Sequence, residues 1–501
     1  MNASGLQRDL NRSFLRAAGV VAFTLLSLSG PARSAAAAAQ LVPPAPLRLS
    51  LNQALEMGLD RSLALRSSRL SVAESRAVVG LTKARFLPHV DLVGLSTYGQ
   101  VGTSIGFISN LSTIGDLNLG VGADGYAVVQ NTFVNLGLTL TVPLIDFSRG
   151  PLQQAAGADL QAARAEQLEQ QRRSRFEITS AYLNAQLAEA LIPVWQRSLA
   201  VSGTLLRDAT AIRRQGLAAR IDTLQAEALL QTDRQGLAEA EAQRQVALSG
   251  LARVLNLAPD QQLSLSDPLK PGPGWPLPLG PTLQRSLQQR PLLDALDQQR
   301  RAQLARVELA RASRRPSIGL LLGAGINGNW LSVPVLNTTQ QLTAAGRSVD
   351  LPLNSPGSFS GSFYDWGAVI GLRQPLFDGG LSRESTTLAQ RRAEQSDVAI
   401  DQARQTIVQS VQTWWASHQA AGPQMTAAAA AAAAGEQAVR DALLRYRAGI
   451  APLTELLVAQ RNLQLARASQ AAATHRWNLS HAGLELETGG ASTSGPLPTV
   501  P

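Results

Sequence analysis

Pro143-Leu144-Ile145-Asp146 recurs 232 residues later as Pro375-Leu376-Phe377-Asp378. Each tetrapeptide follows a stretch of alternating apolar and small or polar residues, and each precedes a long run rich in Ala, Gln and Arg. Downstream, Arg214-Gln215-Gly216-Leu217, with Asp222 and Leu224 beyond it, recurs as Arg447-Ala448-Gly449-Ile450, with Glu455 and Leu457, at an offset of 233. Upstream, Arg85-Phe86-Leu87-Pro88 is matched by Ser313-Arg314-Arg315-Pro316 at an offset of 228. Offsets this similar, in the same order, mean that the chain holds two copies of one unit, at 50–258 and 282–487.

The first unit reads as a helix over 51–87, a β-hairpin over 88–146 and a helical hairpin over 150–258. The second reads as a helix over 282–315, a β-hairpin over 316–378 and a helical hairpin over 380–487. Between them, 259–281 carries Pro259, Pro268, Pro271, Pro273, Pro276, Pro278 and Pro281, and reads as a linker or extended strap. The Gly-, Ser-, Thr- and Pro-rich tail, 488–501, is expected to be disordered.

Residues 1–39 read as a signal peptide. Arg8, Arg12 and Arg16 precede an apolar stretch from Ala17 to Leu28, and small residues near Ala39 offer cleavage sites. The apolar run is shorter than the roughly 20 residues a spanning helix needs.

The strands alternate. Val134, Leu136, Leu138, Leu140 and Val142 are interleaved with Asn135, Gly137, Thr139 and Thr141. Ile318, Leu320, Leu322, Ala324 and Ile326 alternate with mostly small residues, as do Tyr364, Trp366, Ala368, Ile370 and Leu372. Such a period of two puts one face in grease and the other in water. A soluble sheet with one wet face has the same pattern. The leader and the small-residue face favour membrane-spanning strands around a lumen, with Trp330 and Trp366 as candidates for an aromatic girdle. Four strands cannot close such a barrel, and an open edge in lipid would strand its backbone hydrogen bonds. Spanning strands therefore require an oligomer, and three copies, giving 12 strands, leave room for a pore.

The helices are rods. A helix over 150–214 is roughly 95 Å long. In the C-terminal stretch Leu456, Ala459, Leu463, Ala466, Gln470, Ala473, Trp477, Ser480 and Leu484 form a heptad seam of mostly small side chains. Gly216 and Gly449 suit the left-handed position past a helix end, and Pro452 suits the first turn of the returning helix. Pro193 and Pro423 fall inside the outgoing helices and are expected to kink them.

Signatures of catalysis or cofactor binding do not emerge. Gly120-x-Gly122-x-x-Gly125 and Gly323-x-Gly325-x-x-Gly328 match a dinucleotide fingerprint in letters only, because each falls in a β-hairpin region. His89, His418, His475 and His481 have no metal-ligand spacing. No enzyme activity and no cofactor or metal are expected. The chain has no cysteine, and its net charge of +9 is spread along helical stretches without interleaved aromatics, so nucleic acid is not an expected partner. Asp222 and Glu455 stand out because they repeat, six residues after the turn glycines. A lone carboxylate there also suits a helix's first turn.

A doubled strand–strand–helical-hairpin unit behind a signal peptide resembles the TolC family of outer-membrane efflux and secretion channels. The resemblance spans essentially the whole mature chain. It rests on the Pro-Leu-hydrophobic-Asp exits at 143–146 and 375–378, and on Tyr446-Arg447-Ala448-Gly449 leading into Leu453-Thr454-Glu455-Leu456-Leu457. It implies an α plus transmembrane-β fold: four barrel strands per chain, a 12-stranded β-barrel in a homotrimer, and coiled-coil hairpins forming a periplasmic tunnel. It implies location in the outer membrane, in contact with its lipid. The expected role is passive conduction in a tripartite efflux pump or type I secretion system. Partners would be a periplasmic adaptor protein and an inner-membrane transporter. The turns at Arg214, Gly216, Arg447 and Gly449 would form the adaptor-docking tip. Glu455 and Asp222 are the periplasmic gate candidates, Glu455 by its position in the family's acidic rings. Val458 stands where a second carboxylate is expected and Ala451 where an arginine is. The missing cysteine excludes the lipid-anchored branch. The competing reading is a secreted structural or adhesive coiled-coil protein with soluble β-hairpins.

Overall fold

Asp146 and Asp378, the last residues of the repeated tetrapeptide, both turn a strand exit into a helix start. Asp146 Oδ1 accepts the Ser148 N–H at 2.8 Å. Asp378 accepts the N–H groups of Gly380 (3.1 Å) and Ser382 (3.0 Å), and also the Ser382 hydroxyl. The Ser382 side chain and these backbone donors hold the Asp378 carboxyl below its ordinary value. A carboxylate satisfies otherwise orphaned N–H groups at a helix start, which is why both copies keep an acid there.

The structure is a computed structural model describing residues 47–489 apart from 115–116, 217–218, 259–260, 345–346 and 354–356. The signal peptide and the tail from 490 lie outside the described residues, whereas Thr488 belongs to the last helix. In order, the elements are β1 (Leu47–Leu49), α1 (Leu51–Arg61), α2 (Leu63–Ala84), β2 (His89–Ile114), β3 (Leu117–Asp146), α3 (Arg149–Arg214) and α4 (Arg220–Val254). They continue with β4 (Leu263–Leu265), α5 (Leu279–Gln289), α6 (Pro291–Ala312), β5 (Ser317–Ala344), β6 (Arg347–Leu353), β7 (Gly357–Arg373), α7 (Leu381–Arg447) and α8 (Leu453–Thr488).

The duplication extends to the length of each piece. The single helices expected over 51–87 and 282–315 are instead pairs of 11 and 22 residues, each divided at one residue, Ser62 or Arg290. Both dividing residues leave helical geometry, with ψ of 118° and 117°. Ser62 then accepts the Leu65 N–H to restart its helix, and Pro291 opens the other. Arg290 is buried at its break and pairs with Glu169 of α3 (2.9 Å) and with Glu487 of α8. Burial alone would raise the Glu169 carboxyl; Arg290 and Arg173 outweigh it and hold the group below its ordinary value.

The long helices α3 and α7 have 66 and 67 residues, about 100 Å each at 1.5 Å per residue. Pro193 and Pro423 lie inside them without ending either. Helix α3 packs on α2 and α4, and α7 packs correspondingly on α6 and α8. The seam predicted along α8 buries Leu456, Leu463, Ala473, Ser480 and Leu484, while Gln470 stays exposed. One core sits midway, where Leu49, Ala54, Ile178, Tyr182, Leu251, Leu255, Leu263 and Leu265 pack together. Burying each Leu or Ile there contributes roughly 1.5–3 kcal/mol.

Of the two readings of the proline-rich stretch, linker or extended strap, the structure has the strap. The stretch contains β4, which pairs in parallel with β1, and α5 already begins at Leu279, so Pro281 lies in a helical first turn. The strap between them is pinned to α7 and α8. His418 Nε2 accepts the Trp275 N–H at 2.9 Å, Trp477 Nε1 donates to Gly272 O at 2.9 Å, and Asn478 bonds Gly272 and Lys270 at 2.8 Å. Proline cannot supply the two backbone N–H groups, so Gly272 and Trp275 do.

The sheet runs β2-β3-β5-β7, all antiparallel, with β6 added along the far end of β5. The returning strand of the second hairpin thus comes in two pieces, β6 and β7, which pair with successive stretches of one edge of β5. Pro143 cannot donate a ladder bond, and the register slips by one between Pro143 and Ile145.

Candidate functional site

Register decides what each strand face presents. Leu92 lies opposite Leu138, Leu138 opposite Ala324, and Ala324 opposite Trp366. The next row is Val90, Leu140, Leu322 and Ala368, so the alternating apolar positions of all four strands fall on one face. Among the described residues nothing covers it: Leu92 is 69% exposed, Trp366 83% and Ile370 71%. The other face carries the row Asp91, Thr139, Gly323, Gly367 and the row Val93, Gly137, Gly325, Asp365. A Cβ on Gly137 would stand 3.1 Å from the Ala324 carbonyl oxygen, so the backbones approach more closely there than a side chain allows. Asn135 and Asn327 hydrogen-bond across the same face. Trp330 and Trp366 share the apolar face six register positions apart, about 20 Å at 3.3 Å per residue. That separation is close to the roughly 25 Å height of a lipid-facing band.

Far from the sheet, both helical turns gather around one cluster. Leu205 and Ala209 of α3, Ala226 of α4, Ala442 and Tyr446 of α7, and Leu453 and Leu456 of α8 pack together. Gly216 and Gly449 have φ of +77° and +69° with open space around them, so the left-handed backbone itself is what selects glycine. The Gly449 N–H bonds Tyr446 O at 3.0 Å and the Ile450 N–H bonds Arg445 O at 2.9 Å, closing the end of α7. Pro452 is the residue just before α8 rather than within its first turn.

The predicted tip residues do not form one cluster of charge. Glu455, in the first turn of α8, pairs with Arg445 at 2.6 Å. Arg447 instead reaches α3, with Nη2 2.7 Å from Asp208 Oδ2. Asp222 opens α4 and, with Asp208, lies near the Tyr446 phenol; burial first, then these two carboxylates, raises that phenol above its ordinary value. The Tyr446 hydroxyl is buried without a partner. Arg214 is exposed at the end of α3, and its neighbour Arg213 takes the contact across the turn, to Thr223 Oγ1 at 3.1 Å. Val458 is exposed and Ala451 buried; the arginines in ion pairs beside the second turn are Arg445 and Arg447.

Asp208 and Arg445 escaped the sequence reading. For Asp208 a signal was present, because Arg207-Asp208-Ala209 recurs as Arg440-Asp441-Ala442 at the same offset of 233; Arg445 has none, since Ile212 stands at its equivalent position. Beside these charges, an apolar groove of about 260 Å³ lies between α3 and α7, lined by Val201, Leu205, Val439, Leu443 and Leu456. The two glycine fingerprints lie inside β3 and β5, with no helix start after either. Among the described residues no group of three or more His, Cys, Asp or Glu is placed to hold a metal ion.

The same architecture recurs in known proteins. The solved outer-membrane channel OprN superposes with a TM-score of 0.69 at 20% identity, covering 88% of this chain and 90% of that one. Protein CyaE of Bordetella pertussis is 28% identical over 422 residues, 84% of this chain and 79% of CyaE. Outer membrane protein OprJ of Pseudomonas aeruginosa is 22% identical over 421 residues, 82% of this chain and 78% of OprJ. The family model described as outer membrane efflux protein matches twice, over residues 54–257 and 282–490, the two units found from the internal repeat. The chain belongs to the outer membrane efflux protein family, whose members are channel components of the outer membrane.

Proposed function

We propose that three copies of this chain close one 12-stranded barrel and one helical tunnel, and conduct substrates passively from a periplasmic adaptor and an inner-membrane transporter to the exterior. One observation carries the reading. Within the chain the first unit packs on the second through β3–β5, α3–α6 and α3–α8, and the repeat gives each contact an equivalent: β7–β2, α7–α2 and α7–α4. Among the described residues none of these three pairs packs as its counterpart does. A further copy, related as the first unit is to the second, supplies all of them. Lipid admits no open sheet edge, and a 12-stranded ring leaves a lumen that eight strands would fill.

The long hairpins carry the duct through the periplasm, and the tip faces the adaptor. The apolar groove between α3 and α7 supports docking there, and the Arg447–Asp208 pair holds the two hairpins together in the closed tip. Glu455, Asp222 and Asp208 are carboxylates beside the turns, and Arg445 and Arg447 pair with Glu455 and Asp208. The chain performs no catalysis of its own, and transport is driven by the partner. Planar-bilayer recording tests this: purified protein is expected to give discrete, ion-conducting steps, and protein that inserts without conducting would overturn the reading.

A further inference from the structure

The two hairpins are alike in register as well as in sequence. His89 faces Thr141 in the first, and the equivalent residues, Ser317 and Arg373, face each other in the second. The chain also shows how one hairpin joins the next: Thr141 faces Leu321 and Pro143 faces Gly319. Carrying that junction forward by the repeat, 232 residues for β3 and back 228 for β5, gives the register of the seam between copies. Arg373 then faces Val93 of the neighbouring copy, and Pro375 faces Asp91 of the neighbouring copy.

We infer that this register places an ion pair, Arg373 to Asp91 of the neighbouring copy, at each seam of the barrel, on its lumen side where the strands leave the helices. It rests on the oligomeric-channel reading above. Both residues stand on the small-residue face of the sheet, at odd positions of strands whose even positions are apolar. Both are exposed in the single chain. Both lie on edge strands, where a paired neighbour is missing on one side only. Diagonal neighbours across antiparallel strands stand about 7–8 Å apart, within reach of an arginine. The intrachain junction has Thr141 and Gly319 at the equivalent positions and carries no charge. The charged pair is therefore peculiar to the seam between copies, where it penalises a slipped register.

The native chain has no cysteine, so paired cysteines report the seam directly. In outer membranes from cells expressing the full chain, Val93→Cys with Arg373→Cys is expected to give covalent dimers and trimers on oxidation. Thr97→Cys with Arg373→Cys, four residues out of register, is expected to give none. The reverse pattern would overturn the register, as would no cross-link from either pair in a protein that still migrates as a heat-modifiable oligomer. A monomer in which neither pair links would sink the channel reading itself. Charge reversal gives a second readout. Asp91→Arg or Arg373→Asp alone is expected to lower the temperature at which the oligomer band dissociates, and the two together to restore it. Additive losses in the double variant would refute the pair.

Discussion

Arg447 donates through Nε and Nη2 to a single carboxylate oxygen of Asp208, at 3.1 and 2.7 Å, across 239 residues of chain. The contact ties the last turn of α7 to α3, one hairpin to the other, beside the turn that would face an adaptor. Both side chains are partly exposed, at 50% and 28%. An ion pair in such a setting contributes about 0.2–1 kcal/mol, enough to bias a gate without locking it. Asp208→Ala and Arg447→Ala are each expected to raise the open probability in planar bilayers by roughly 1.5- to 5-fold per pair lost. The double variant should go no further than either single one. Additive effects would show that the two residues act separately.

Glu455 is half-exposed and already paired with Arg445. If it lines the pore, Glu455→Ala removes one carboxylate per copy and lowers cation over anion selectivity, while Arg445→Ala frees the carboxylate and raises it. Reversal potentials in asymmetric salt check both signs. No change in either would leave Glu455 as a favourable charge at a helix start.

Arg290 is the charge that the protein can least afford to lose. It is buried between Glu169 and Glu487, and joins the break before α6 to α3 and α8. Arg290→Ala leaves the buried Glu487 without its countercharge and Glu169 with Arg173 in place of two arginines, and is expected to destabilise by about 3–5 kcal/mol. Thermal denaturation of the detergent-solubilised protein measures it. An unchanged melting temperature would mean that Arg172 and Arg173 compensate.

Asp233 is buried to 1% exposure; Ser198 donates to its Oδ2 at 2.9 Å, while its Oδ1 has no partner. Burial raises its carboxyl above the ordinary value, against the serine hydrogen bonds. The folded state therefore holds this proton to higher pH than the unfolded chain, and stability falls as pH rises from about 4 through the folded-state value. Asp233→Asn is expected to raise the melting temperature at pH 7.5 and to do so less at pH 4.5. An equal gain at both would show that charge burial is not the cause.

Much of this was legible beforehand because it is local and repeated. Alternation such as Val134 to Val142 fixes a strand and its faces, and Gly216 and Gly449 fix the turns by a backbone angle that other residues avoid. The helix break at Ser62 was not legible, since nothing around it disfavours a continuous helix, whereas Pro291 signals the break at Arg290. Arg290 acts through Glu169 and Glu487, which are distant in sequence. What anchors the proline strap was hidden for the same reason: His418, Trp477 and Asn478 hold it from α7 and α8. At the tip, sequence position selected Glu455 and Asp222, but the hairpin-to-hairpin pair runs through Asp208, whose role depends on how α3 meets α7.

The central claim is an oligomeric duct in the outer membrane, and the mass of the detergent-solubilised particle tests it most directly. Light scattering corrected for bound detergent, on protein extracted from an outer-membrane fraction, is expected to give three times the mass of one mature chain. A monomer recovered from the soluble periplasmic or secreted fraction would contradict it.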